Sequence, residues 1–191
     1  MKTIAECKGL AVGRFWIPPF ALNEGELIGL FLYNGSHFYD LSMELVELLI
    51  GRKIHPALIV HQPLRFVEHF RESGLRDKFW PTTVEEYTNS KGNKGNRIAE
   101  KIYDVEYIKP TTKVQKLAGT PRKLLSLYAT LSHTNKLVFD LVGVDPMGAL
   151  KTLDIVNEYI NGKGAAILLD NFEDLEAQQR CTKYIKIEIR D

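Results

Sequence analysis

Three stretches of this chain carry runs of consecutive apolar residues, Glu26-Leu-Ile-Gly-Leu-Phe-Leu32 after its first residue, Lys136-Leu-Val-Phe-Asp-Leu-Val142 apart from Lys136 and Asp140, and Ala165–Leu169, while Ala57–Val60 is a further apolar run of strand length. A strand with one wet face alternates apolar and polar residues, so an unbroken run calls for cover on both faces, as in a parallel sheet. Helical spacing fills the intervals. Leu41, Leu45, Leu48 and Leu49 mark a helix from about Phe38 to Ile50, stopped by Gly51. Pro63 is expected to open a helix through Phe66, Phe70 and Leu75. Short helices are expected near Thr83–Tyr87 and Arg97–Asp104, around the polar loop Asn89–Asn96. Thr120 reads as an N-cap with Pro121 at the first helical position, leading through Leu124, Leu125, Tyr128 and Leu131. Pro146 opens a helix with Leu150, Leu153, Val156 and Ile160 on one face. A helix over Glu173–Arg180 and an alternating strand over Tyr184–Ile189 close the pattern. Strands alternating with helices specify an α/β fold around a mainly parallel sheet.

At 191 residues, a folded chain buries roughly 70% of the surface it exposes unfolded, enough for one core with a small appended subdomain. A hydrophobic share of 45% with 26% charged residues excludes a disordered chain. Lys plus Arg is 25 against 24 Asp plus Glu, a net charge of +1. That balance gives no overall field to attract nucleic acid, which is not an expected partner. Cys7 and Cys181 form no spaced motif and are read as reduced thiols. Early charges at Lys2 and Glu6 break any signal-peptide pattern, and no apolar run approaches eighteen residues. The expected location is the cytoplasm, with any membrane contact made through a partner.

In such folds ligands bind where strand ends meet the following turns. Two turns qualify: Leu32-Tyr-Asn-Gly-Ser-His-Phe-Tyr-Asp40 and Val138-Phe-Asp-Leu-Val-Gly-Val-Asp-Pro146. Each has a plain structural reading beside a functional one. Asp140 can cap a strand end, Gly143 and Asp145 can make the turn before Pro146, and Tyr33, Phe38 and Tyr39 can fill space by packing. His55, His61 and His69 match no zinc spacing, and no metal site is expected. Lys91, Lys94 and Arg97 read as a solvated basic loop.

Gly25-Glu26-Leu-Ile-Gly-Leu leads into Asn34-Gly35-Ser36. Leu117-Ala-Gly-Thr-Pro121 precedes a helix, Lys136-Leu-Val-Phe-Asp140 ends in an acid, Gly143-Val-Asp-Pro146 opens another helix, and Ala166-Ile-Leu-Leu169 leads into Glu173–Ala177. In this order and over nearly the whole chain, the sequence resembles the ATP-binding domain of ABC transporters. The resemblance implies a P-loop NTPase-like fold over residues 1–191, with a reduced helical and signature subdomain at about 63–119. It implies a phosphate loop at Asn34, Gly35, Ser36, His37, Phe38 and Tyr39, and makes Asp140 the Walker B acid. Ala118, Gly119, Thr120, Gly143 and Asp145 would face a partner; ATP with Mg²⁺ is the cofactor the resemblance points to, with binding expected to be weak or absent.

The catalytic positions depart from the family's pattern. In the phosphate loop, Leu32 and His37 stand in place of glycines, Phe38 in place of lysine and Tyr39 in place of Ser/Thr. Backbone N–H groups, the lysine charge and the hydroxyl are what hold phosphate and Mg²⁺ there. Leu141 takes the catalytic glutamate's position, Phe172 that of the phosphate-sensing histidine, and Ala118 that of the signature serine. The resemblance with these losses implies a catalytically defective subunit of an ABC transporter-like complex. It would form a homo- or heterodimer with an ABC-type ATPase domain or join a membrane transport subunit, coupling through about Pro63–Lys109. Two alternatives stand beside it. One is an active ATPase whose lysine is replaced in space, by Lys53, Lys78 or a partner's arginine; the other is a binding module using the Asn89–Arg97 loop.

Overall fold

The computed structural model describes residues 2–70, 79–171 and 173–190. Five strands form a wholly parallel sheet: β5 (Leu27–Phe31), β7 (Arg65–Phe66), β8 (Lys136–Asp140), β9 (Ala165–Asp170) and β10 (Lys183–Lys186). Their spatial order is β10-β5-β9-β8-β7. Every residue of β5 and of β9 is buried, as the unbroken apolar runs require. One face carries Ile28, Leu30, Val138, Ile167 and Leu169, packed in a core with α1 (Phe38–Leu49) through Leu41, Leu45 and Leu49. Gly51, with φ +78, ends that helix in the left-handed conformation where glycine costs least.

Antiparallel strands precede the first run that the sequence pattern marks clearly. β1 (Thr3–Cys7) lies between β4 (Phe20–Asn23) and β6 (Leu58–Val60), while β3 (Phe15–Ile17) lies between β2 (Leu10–Val12) and β11 (Glu188–Ile189). Val12 pairs with Phe15, so Gly13-Arg14 is a two-residue hairpin loop, and Gly13 has φ +56.

The helix expected from Pro63 is instead a strand. Arg65 and Phe66 pair in parallel with Leu137 and Val138, while Leu64 and Val67 are buried on either side. The open edge of β8 supplies backbone partners there, and the exposed Arg65 suits an edge position. Leu75, also assigned to that helix, lies outside the described residues. The single strand expected over Tyr184–Ile189 divides at Ile187, whose N–H donates to the Phe31 carbonyl (3.2 Å) before the chain passes to a second sheet. The helix expected over Glu173–Arg180 is the shorter α5 (Leu175–Gln179), capped by Asp174.

The chain divides into two compact units, and all these strands fall in the first, which comprises residues up to Phe66, Asn135–Leu141 and from Leu150 onward. The second comprises Val67–Thr134 and Val142–Ala149. It is built on α3 (Gly119–Leu131), in which every residue from Lys123 to Leu131 is buried, with α2 (Val84–Lys91) and a 3-10 segment, Arg97–Asp104, against it. Tyr87 and Ser126 share a buried hydrogen bond of 3.1 Å. Asn93 N–H and the Asn96 amide both reach Ser132, at 2.8 and 3.1 Å, and tie down the polar loop.

A reciprocal cap starts α2: Glu86 N–H donates to Thr83 Oγ1 (3.1 Å), and Thr83 N–H donates to the Glu86 carboxylate (2.9 Å). Thr83→Ala is therefore expected to cost about 0.5–2 kcal/mol. Hydrogen exchange should show the loss as faster exchange at the Glu86 amide, with the parallel sheet unchanged.

Candidate functional site

The carboxyl ends of β5, β9 and β8 are level, with Phe31 opposite Asp170 and Asp140 opposite Leu169. Leu32 N–H donates to the Asp170 carbonyl (2.7 Å) and carries the pairing one residue further. The chain then turns sharply. Tyr33 takes the left-handed conformation (φ +59), which a non-glycine residue adopts rarely, and its ring meets Phe31 edge-on at 4.7 Å. Asn34, Gly35 and Ser36 are exposed.

His37 folds back into this turn. Its Nε2 lies 3.0 Å from the Leu32 carbonyl oxygen, and because a carbonyl only accepts, Nε2 carries the proton. The ring stacks on Phe15 from β3 at 4.6 Å. A Cβ on Gly35 would lie 2.9 Å from two atoms of the imidazole, so the ring occupies the inside of the turn. Phe38 packs half-buried against the core, whereas Tyr39 is 54% exposed. Asp40 places a carboxylate in the first turn of α1, where the helix dipole favours an anion.

Asp140 ends β8 and is buried, and so is Asp170 at the end of β9. Asp170 accepts the Tyr184 hydroxyl at 2.9 Å. Burial, then the Asp170 charge, pushes the Cys181 thiol up to about 12. Both cysteines are free. Among the described residues, no group of three His, Cys, Asp or Glu side chains is arranged to hold a metal ion.

In the second unit the structure gathers Gly119, Thr120, Gly143 and Asp145. α3 begins at Gly119, not after Thr120. The cap position belongs to Ala118, which makes no side-chain bond there, and Thr120 is the helix's second residue. The Thr120 hydroxyl donates to the Asp145 carboxylate. Asp145 also accepts Gly148 N–H at 2.9 Å, at the start of α4 (Pro146–Ile160). The Thr120 bond, followed by the Gly148 bond, holds the Asp145 carboxyl below its usual range. The backbones meet closely here: a Cβ on Gly119 would strike the Gly143 carbonyl oxygen, and one on Gly148 would strike the Thr120 side chain. Beside this patch lies a cavity of about 140 Å³ lined by Glu68, His69, Arg122 and the buried Lys123.

The residues weighed as alternatives are dispersed. Lys53 bonds the Glu44 carboxylate, and Lys78 and Phe172 lie outside the described residues. His55 accepts the Ala57 N–H, and His61 faces Glu6 at 3.5 Å. The Phe15–His37 stack escapes a reading of the sequence in which the first clear strand is at Glu26. The signal that could have revealed it is Gly13-Arg14 between two short apolar segments, a hairpin signature.

No protein-family model matches the sequence, and no curated protein does. Solved structures do match. A chain described as a metal-chelate type ABC transporter in an inward-facing conformation superposes with a TM-score of 0.72 at 15% identity, over 100% of this chain and 82% of that one. A chain from Pyrococcus furiosus, described as an ATP-binding protein of an ABC transporter, gives 0.70 at 20% identity, covering 95% and 96%. An ATP-binding cassette of an ABC transporter gives 0.69 at 15% identity, covering 98% and 90%. The parallel sheet, the antiparallel strands beside it and the helical unit thus make up the fold of ABC transporter ATP-binding domains.

Proposed function

We propose that the chain is a catalytically defective ABC-type ATP-binding subunit, acting as a structural or regulatory partner in an ABC transporter-like complex. The observation that carries this reading is His37, whose ring lies inside the turn after β5 and bonds the Leu32 carbonyl at 3.0 Å. The residues present do not fit Mg-ATP. Asn34 to Asp40 include no lysine or arginine, the Ser/Thr position that would hold the metal is Tyr39, and Asp40 adds a negative charge. Each charge-assisted hydrogen bond missing from such a site forgoes about 1.5–3 kcal/mol. Asp140 remains, but a single carboxylate cannot replace the loop.

ABC-type domains work in face-to-face pairs, so the fold supports a partner: a second copy, a competent ATPase domain or a membrane transport subunit. No helix among the described residues is long and apolar enough to cross a membrane. A membrane role would then run through that partner, from the cytoplasmic side.

Isothermal titration of the purified, folded chain with ATP, with and without Mg²⁺, tests the reading. The expected result is no saturable heat at millimolar nucleotide. Submillimolar, Mg-dependent binding would overturn it and restore the ATPase alternative.

A further inference from the structure

Asn-Gly occurs twice in the chain, at Asn34-Gly35 and at Asn161-Gly162. In this dipeptide the asparagine is open to attack by the glycine's own backbone nitrogen, because no Cβ on the glycine hinders ring closure. The two copies stand in different settings.

Asn34 and Gly35 are exposed in the turn after β5. Among the described residues, neither the Asn34 side chain nor Gly35 N–H makes a hydrogen bond. The bonded turn that leads into α1 runs from Phe38 N–H to the Gly35 carbonyl (3.1 Å) and leaves Asn34 outside it. What spans Asn34 is a side-chain bond, from His37 Nε2 to the Leu32 carbonyl, over a backbone already strained at Tyr33 (φ +59). The glycine itself is not freely exchangeable: a Cβ at position 35 would lie 2.9 Å from two atoms of the His37 ring. The packing of His37 therefore requires the residue that makes Asn34 reactive.

Asn161 and Gly162 follow α4 and are also exposed. They lie inside a turn closed by Gly164 N–H on the Ile160 carbonyl (2.9 Å), with Gly162 in the left-handed conformation (φ +88). Swinging the chain at Asn161 opens that helix end first.

We propose that Asn34 is a modification site, at which the chain slowly deamidates itself through a succinimide. Gly35 N gives its proton to solvent base and attacks Asn34 Cγ. The N–Cγ bond forms, the Cγ–Nδ2 bond breaks, and ammonia leaves. Water then opens the ring, and nothing is oxidised or reduced. Opening at Cγ leaves aspartate; opening at the backbone carbonyl carbon leaves isoaspartate, with the main chain routed through the former side chain. Either product adds a carboxylate to a turn that already leads into Asp40. Isoaspartate also lengthens the main chain beneath the His37–Leu32 bond. The proposal does not rest on the functional reading above.

The test is to hold the folded, nucleotide-free chain at mildly alkaline pH for days, digest it with trypsin and follow the amide-to-acid mass gain. Cleavage at Lys and Arg puts the two sites in separate peptides, residues 15–52 and 152–163. Fragmentation locates the change, and an isoaspartate methyltransferase labels the isomerised product. The gain is expected in 15–52 at least about tenfold faster than in 152–163, because only the second must wait for a helix end to open. In the urea-unfolded chain the two rates should come together. Asn34→Gln, which would have to close a larger ring, should abolish the gain in 15–52 and leave 152–163 unchanged. Equal rates in the folded chain would overturn the proposal. So would a gain that persists in Asn34→Gln, or a folded chain that stays unmodified at 15–52 while the unfolded chain reacts. Nucleotide binding at the loop after β5 would defeat the functional reading and leave this result standing.

Discussion

Phe139→Ala is expected to remove about 3–5 kcal/mol of stability. Phe139 is fully buried in β8, opposite Leu168 in β9. Leu168 is in turn opposite Gly29 in β5, and Gly29 is opposite Tyr184 in β10. These four residues form a row across the sheet in which the places are already taken. A Cβ on Gly29 would lie 2.5 Å from the Tyr184 ring, so that ring already uses the room the glycine leaves. A close-packed interior relaxes only in part around a phenyl-sized hole, so the cavity term adds to the lost transfer energy. Urea unfolding would show the loss as a lower midpoint with an unchanged slope. A loss below about 1 kcal/mol would mean that the sheet repacks, contrary to this account.

The second large effect is a fall in stability at alkaline pH. Burial, then the Asp170 charge, pushes the Cys181 thiol from its ordinary 9.0 up to about 12. The Tyr184 hydroxyl is pushed upward by burial and by Asp170, the acceptor of its hydrogen bond. Burial also raises the Cys7 thiol. A raised acid stays protonated in the folded chain while the unfolded chain has begun to lose its proton. The stabilisation is therefore complete below about pH 9 and is lost as pH rises toward 12. Each such group adds up to about tenfold to the unfolding equilibrium per pH unit across its window. Urea midpoints measured from neutral pH upward should start to fall near pH 9. Cys181→Ala, which leaves Cys7 in place, should flatten the first part of that fall, and Tyr184→Phe the part beginning near pH 10. A wild-type curve level through pH 11 would contradict the assignment.

The parallel sheet was legible because its cause is local in sequence. Leu27–Phe31 is apolar throughout and Ala165–Asp170 at every position but the last, and a strand covered on both faces keeps such a run out of water. The helices α1 and α4 were equally clear from their leucine spacing and their Gly51 and Pro146 boundaries. The short strands were not. Arg65–Phe66 is two residues long and is fixed by backbone bonds to Leu137 and Val138, more than seventy positions away. Ile187 breaks the last strand for a similar reason: its N–H is claimed by Phe31, and the chain beyond it by Trp16 and Phe15.

At the candidate site, composition and arrangement have different origins. The residues in the turn after β5, the absence of lysine from it, and the acid that ends β8 are properties of the sequence. Which groups fill that turn is not. His37 lies on the Leu32 carbonyl because Phe15, from a hairpin 22 positions earlier, provides the surface on which its ring stacks. Thr120 looks like a cap in the sequence, but its hydroxyl is bound by Asp145, 25 positions later. Local periodicity determined the layers of this protein, because burial of an apolar face depends on neighbours along the chain. Tertiary structure decided what fills the turn after β5 and the start of α3, because a hydrogen bond goes to whichever partner the fold brings within about 3 Å.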